Sequence, residues 1–259
     1  MKARFDDRIA RAQELSKTHP AASELLNFYG QLALFQRPIY DQLQSSGQAD
    51  MHALLTHFPA LLKLVRRSGP APLADFGSEH LSSPDSQWEL LLSCWEDPAG
   101  ESRAATGAAC SEAGRFFARV VLQPFAECLA SRGKIDLEQT IPTCPFCSSR
   151  PVAGVLRGEG DGAKRWLLCS LCSTEWPFLR VACPNCGERD KDKLPVYTTA
   201  DFGHVRVEAC DRCTSYIKSI DLTRDGHAVP VVDELATVAL NIWAEDRGYT
   251  KLESNLLGL

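Results

Sequence analysis

No apolar run in this sequence approaches the ~18 residues that a membrane-spanning helix needs, so membrane insertion is not expected. The opening segment, MKARFDDRIARAQEL, alternates in charge and holds no apolar stretch of the kind that forms a secretory signal. An excess of positive charge is also lacking. The chain of 259 residues has a net charge of −5, and residues 141–226 carry 12 Lys and Arg against 11 Asp and Glu, a net of +1. Without a basic footprint, a nucleic-acid partner is not expected. A hydrophobic fraction of 44% excludes general disorder and leaves room for one large domain or two. These features together imply a cytoplasmic protein, where thiols stay reduced and paired cysteines favour metal over disulfides.

Cysteine, by contrast, is abundant, and eight of the eleven fall into four C-x-x-C pairs: Cys144/Cys147, Cys169/Cys172, Cys183/Cys186 and Cys210/Cys213. Two cysteines separated by two residues can aim both sulfurs at one ion while nearby N–H groups point at the sulfurs. Two such turns complete a tetrahedral four-sulfur site, so eight thiols imply two metals. The region also repeats. CPFC, twenty-one residues and CSLCSTEWPFLRV align with CPNC, twenty-three residues and CDRCTSYIKSIDL. The simplest pairing puts Cys144, Cys147, Cys169 and Cys172 on one metal and Cys183, Cys186, Cys210 and Cys213 on the other. A cross-braced pairing, first pair with third and second with fourth, stays open. Sulfur-only tetrahedral sites suit zinc or iron, and on spacing alone zinc in a structural role is the default. Gly187 follows Cys186, where a left-handed backbone is easiest for glycine. Ser148, Ser173 and Thr214 hold the equivalent places, so those turns are expected to be less relaxed or differently shaped.

Ahead of the cysteines the periodicity is helical. A charged amphipathic helix over 4–18 is followed by a second from Ser23 to about Leu43, which Pro38 should kink or interrupt. A third is capped by Asp50 and ended by Ser68-Gly69-Pro70. Next comes a loop rich in Ser, Pro and Gly, then a helix opened by Ser83-Pro84-Asp85 with Trp88, Leu91, Leu92 and Trp95 inward. A long helix then carries Phe116, Phe117, Val120, Val121, Phe125, Cys128 and Leu129. Short β-like runs surround the cysteines, and Asp233 is positioned to cap a final helix to about Asp246, packed through Leu235, Val238, Ala239, Ile242 and Trp243. The fold class is thus α+β: an all-α helical bundle over residues 1–140, two tandem rubredoxin-like or zinc-ribbon β units over 141–182 and 183–229, and a C-terminal helix and tail over 230–259.

At CSLCSTEWPFLRVAC the chain resembles the formate dehydrogenase accessory protein family, FdhE, whose pattern C-x-L-C-x-T-E-W, three residues, R-V-x-C is reproduced from Cys169 to Cys183. CPFCSSRPVAG, EACDRCTSYIK and VVDELATVALN extend the likeness, and the run from Arg11 through His19-Pro20 to Gln36 follows it more loosely. Ser148 and Thr214 stand where the family more usually has glycine. The resemblance implies a cytoplasmic maturation factor rather than an enzyme. Its partner would be the catalytic subunit of a respiratory, membrane-bound formate dehydrogenase, bound before twin-arginine export. It also turns the two expected metals towards iron over zinc, and leaves a redox role and a homodimer open. Glu175, Trp176 and Arg180 belong to the matching run. Either Trp176 covers the sulfur cage while the two charges pair with each other, or this patch docks the client.

Elsewhere the plain readings prevail. Cys94, Cys110 and Cys128 read as small helix residues, with no base placed beside them. The stretch 158–162, GEGDG, lacks the G-K-[ST] ending of a phosphate loop and reads as a hairpin tip. His204 reads as a loop residue.

Overall fold

The computed structural model describes residues 5–47, 49–98, 111–133, 140–160 and 162–259. Helix α1, Phe5–Thr18, turns Phe5, Ile9, Ala12 and Leu15 inward, but Arg8 and Arg11 are buried on the same face. A 3₁₀ turn over Pro20–Ala22 leads into α2, Ser23–Ser46. Of the two expected outcomes, interruption does not occur: α2 runs unbroken through Pro38. A proline costs one backbone bond and a steric clash, but buried Gln36, Ile39 and Leu43 pin the helix on both sides of it. Gln36 Nε2 alone reaches the carbonyl of Val120 at 2.8 Å.

Asp50 accepts the N–H of His52, which opens a 3₁₀ turn before α3, Phe58–Ser68. The expected loop after Pro70 is instead helix α4, Ala71–His80. Its prolines fall at the helix start, where a missing N–H costs nothing, and Phe76 stacks on Phe117 at 6.0 Å between centroids. In α5, Pro84–Glu96, Ser83 accepts the N–H of Ser86 as the cap. The buried seam is Gln87, Leu90, Leu91 and Cys94; Trp88, Leu92 and Trp95 lie at its edges. Helix α6, Glu112–Arg132, runs through the centre of the bundle with fifteen buried residues and Ser111 as its cap. Cys110 lies outside the described residues.

Among the described residues seven strands form one sheet: β1 Pro151–Glu159, β2 Gly162–Cys169, β3 Glu175–Pro177, β4 Val196–Thr198, β5 Val205–Cys210, β6 Ser215–Asp221 and β7 Thr250–Lys251. The order β3-β2-β1-β6-β5-β4 sets the two repeats head to tail, each contributing three strands. The seam between them is a parallel pairing of β1 with β6, in which Gly154 faces Ser219. A Cβ at Gly154 would sit 2.1 Å from the Ser219 hydroxyl, so only glycine permits the join. Arg165, 2% exposed on its side chain, spans the same seam. It pairs with Glu208 of the second repeat at 2.6 Å and donates to the carbonyls of Leu179 and Ala182 in the linker.

The expected terminal helix is two: α7, Pro230–Ala236, and α8, Val238–Glu245. Asp233 is no cap at the start of a helix but a buried anion inside α7, reaching back to the N–H of Val229 at 2.7 Å. The break at Thr237 has a cause. Lys218, fully buried on β6, donates to the carbonyls of Glu234 and Thr237 and so takes the end of α7. The break shifts the helical phase, so Ile242 is 58% exposed and Ala239 is exposed, instead of packing.

Helices and sheet share a core. The main apolar cluster joins Leu26, Leu32, Phe117 and Val121 to Cys144, Leu167, Cys169, Cys172 and Trp176. Buried ion pairs cross the same junction. Arg8 meets Glu127 at 2.8 Å, Arg11 meets Asp233 at 2.6 Å, and Arg119 meets Glu253. Glu234 is held between Lys218 at 2.9 Å and Lys251 at 2.5 Å. Burial alone would raise the Glu234 carboxyl, but the two ammonium groups draw it down to about 2. Because its folded value lies below the ordinary 4.5, this group stabilises above that value and loses its contribution as pH falls towards 2. Burial lowers the ammonium of its partner Lys218 to about 8, so the two shifts of this pair oppose each other. E234Q should still be less stable at pH 7, because it takes the carboxylate from a fully buried Lys218. The gap from wild type in urea titrations should narrow as pH is lowered from 5 towards 3; a constant gap would contradict this.

Candidate metal centres

The structure gathers the four knuckles into two groups, Cys144, Cys147, Cys169 and Cys172, and Cys183, Cys186, Cys210 and Cys213, each with all sulfurs within 4.8 Å. The pairing is consecutive, not cross-braced. In the first group Sγ of Cys144 lies 3.5 Å from that of Cys172, and Cys147 lies 3.4 Å from Cys169. In the second, Cys183 to Cys213 and Cys186 to Cys210 are both 3.7 Å. These separations far exceed a disulfide bond. They match the edge of a tetrahedron, about 3.8 Å for metal–sulfur bonds of about 2.3 Å.

Each group is assembled by its strands. The first sits where β1 begins and β2 ends, and the second where β5 ends and β6 begins. Within the knuckles the amides of Phe146, Leu171 and Asn185 each donate to the leading cysteine sulfur at 3.4 Å. The residue after each second cysteine is left-handed: Ser148 at φ 60°, Ser173 at 52°, Gly187 at 73° and Thr214 at 54°. The three non-glycine turns therefore keep the glycine shape rather than taking another, and bear the strain of a Cβ there. At Ser173 the side chain has a use. Its hydroxyl donates to Glu127 at 2.8 Å and accepts from Arg8 at 3.1 Å, tying the knuckle to α6 and α1.

A further feature, readable in the sequence, was missed. Three of the four knuckles follow C-x-x-C-x-[ST]. The hydroxyls of Ser149, Thr174 and Ser215 stand 3.3, 3.1 and 2.8 Å from the sulfurs of Cys147, Cys172 and Cys213. Each is placed to donate to a thiolate, which offsets charge and orients the ligand. The fourth knuckle has Glu188 at this place, its carboxylate taken by the amides of Arg189 and Asp190. Burial would raise the Cys213 thiol, but bonds from Ser215, Cys186 and Asn185 bring it down to about 6. Both four-sulfur groups thus have the donor set, size and outer hydrogen bonds of a site able to hold one metal ion.

The two groups differ in setting. Cys144, Cys169 and Cys172 belong to the core shared with the helices and half-buried Cys147 packs against it, whereas Cys186 and Cys213 are half-buried outside that core. Trp176 is fully buried in that core and donates its indole N–H to Ile141. Glu175 and Arg180 do not pair with each other. Glu175 forms a two-bond pair with Arg157 at 2.8 Å, and Arg180 donates to the carbonyl of Ala163. His204 contacts Asp233 at 2.8 Å near Asp225, a trio with metal-site dimensions. There the Arg11 guanidinium already bonds both aspartates, supplying the cation. Burial raises the Cys94 and Cys128 thiols, in keeping with small apolar packing residues.

Comparison with known proteins agrees with this geometry. The model of the FdhE central domain matches residues 143–180, and that of the FdhE C-terminal domain matches residues 181–257. Residues 143–257 are thus FdhE-like in sequence, end to end. An FdhE homolog of Aquifex aeolicus is 28% identical over 96% of this chain and 94% of its own. One from Pseudomonas putida is 38% identical over 46% of this chain and 39% of its own, so that match covers well under half of the relative. The crystal structure of the FdhE protein from Pseudomonas aeruginosa shares the fold, with a TM-score of 0.69, 22% identity, and coverage of 98% of this chain and 95% of that one. Among the described residues no helix is long and apolar enough to cross a membrane.

Proposed function

We propose that this protein is a cytoplasmic accessory factor that matures a respiratory formate dehydrogenase, binding its catalytic subunit before export. Each tetracysteine group holds one metal ion on this reading, with iron preferred over zinc. Cys144, Cys147, Cys169 and Cys172 are the ligands of the first, and Cys183, Cys186, Cys210 and Cys213 those of the second. The working units are the helical bundle over 1–140, the metal-binding units over 141–182 and 183–229, and the C-terminal helical segment and tail over 230–259. The observation that carries the reading is the pair of complete four-sulfur groups lying within the two matched FdhE domains. The protein acts by binding its client rather than by turning over a substrate. With Trp176 buried and Glu175 held by Arg157, only Arg180 of that trio offers a free surface to a client.

Deleting the gene from its host should abolish respiratory formate dehydrogenase activity while leaving the catalytic subunit synthesised, and a plasmid copy should restore it. Full activity in the deletion strain would overturn the proposal.

A further inference from the structure

The sheet path ends at β4, whose outer edge pairs with no other strand among the described residues. In the antiparallel ladder with β5, the Ala209 amide donates to the carbonyl of Pro195. The alternation of such a ladder turns the N–H and C=O groups of Val196 and Thr198 outward, away from β5. An exposed row of this kind is a template for another strand, and folded proteins usually cover or blunt it.

Beside this edge lies a cleft of about 250 Å³ with Ala209, Ile217 and Leu252 in its walls, bordered by Cys183 and Cys210 of the second metal group. Two of its lining residues, Val181 and Val196, are 49% and 52% exposed, and neighbouring Leu179 is 38% exposed. Two of the six exposed large apolar side chains among the described residues thus line one opening, in contrast to the scatter normal for a surface. The charge here is also inverted relative to the whole. Arg165, Arg180, Lys191 and Arg206 line the cleft against a single carboxylate, Glu208, in a chain of net charge −5. Glu208 is already held by Arg165 and Arg206, which leaves Arg180 and Lys191 at the mouth without a carboxylate partner among the described residues.

We infer that β4 and this cleft receive an extended, acidic segment of a protein partner, added to the sheet as a further strand. Its backbone pairs with Val196 and Thr198. One side chain enters the apolar cleft, and a carboxylate two residues along, on the same face of the added strand, meets Arg180 or Lys191. The unpaired edge favours polypeptide over nucleic acid, because only a peptide backbone can complete the ladder. The inference deepens the client-binding reading and rests on it. It places the docking surface on the second repeat, next to the more exposed metal group.

The test is fluorescence anisotropy on the metal-loaded protein with three short blocked peptides: a Val-Thr-Asp-Thr repeat, which sets valine and aspartate two residues apart on one face, the same with lysine for aspartate, and the acidic one N-methylated along its backbone. The acidic peptide should bind, and the other two should bind at least about tenfold more weakly. V196D and R180E should each weaken the acidic peptide by about tenfold or more, while L34D, at an exposed apolar position on α2, should not. Each variant is first checked for wild-type metal content and melting. No binding of the acidic peptide, equal binding of the lysine or N-methylated peptide, or unchanged binding by both V196D and R180E overturns the inference. The same variants are then expressed in the deletion strain. Loss of activity with normal protein levels supports the surface. If deletion abolishes formate dehydrogenase activity but both variants restore it fully, the surface is wrong and the client-binding reading stands. Full activity on deletion removes that reading itself.

Discussion

C172S should not fold at 37 °C, whereas C213S should keep a cooperative helical transition. A structural tetrathiolate supplies roughly 10–16 kcal/mol of apparent binding energy at neutral pH. That matches or exceeds the 5–15 kcal/mol net stability of a typical domain. Cys172 is fully buried in the cluster that includes Leu26, Phe117 and Val121, so losing the first metal opens the core that the helices share. Cys213 lies half-buried at the far repeat, outside that cluster, and its loss leaves the helical packing in place. Far-UV circular dichroism through a thermal ramp distinguishes them. C172S melting like wild type, or C213S unfolding as completely as C172S, would contradict this account.

R8M is expected to lower stability by about 3–5 kcal/mol, the usual cost of leaving one member of a buried ion pair alone. Arg8 and Glu127 are 3% and 4% exposed on their side chains, and the lost guanidinium also abandons the Ser173 hydroxyl. For a chain of this size the melting temperature should fall by roughly 6–20 °C. Replacing both charges, as in R8M/E127M, should recover most of the loss, because two apolar side chains carry no desolvation penalty. Urea titration of the singles and the double forms the test. A single-variant loss below about 1 kcal/mol, or a double variant worse than R8M, would show that the pair does not hold the knuckle to the bundle.

These two predictions mark how far the sequence could be read. The four C-x-x-C pairs and their repeat implied two sites, because ligand spacing is local, and made consecutive grouping the simplest; only the fold set aside the cross-braced alternative. The helices followed from periodicity wherever apolar residues decide their packing. Reading failed where long-range polar contacts decide. The amphipathic pattern of α1 gives no reason to bury Arg8 and Arg11, and only the fold brings Glu127 and Asp233 to them. Lys218 gave no hint that it would end α7 at Thr237 and so leave Ile242 in water. Helix α4 was hidden by its prolines, which mark a loop in composition but fall at the helix start here. The C-x-x-C-x-[ST] hydroxyls were legible all along. Only the sulfur distances gave them a purpose.

On the proposed reading each of the two tetrathiolate groups holds its own metal ion. The decisive measurement is metal analysis with an optical spectrum on anaerobically purified protein. Wild type should contain two ions per chain, with the thiolate-to-iron charge-transfer bands of oxidised tetrathiolate iron if iron is bound. C213S, which keeps its fold, should contain one. A wild-type chain with one ion or none, or C213S still holding two, would contradict that reading.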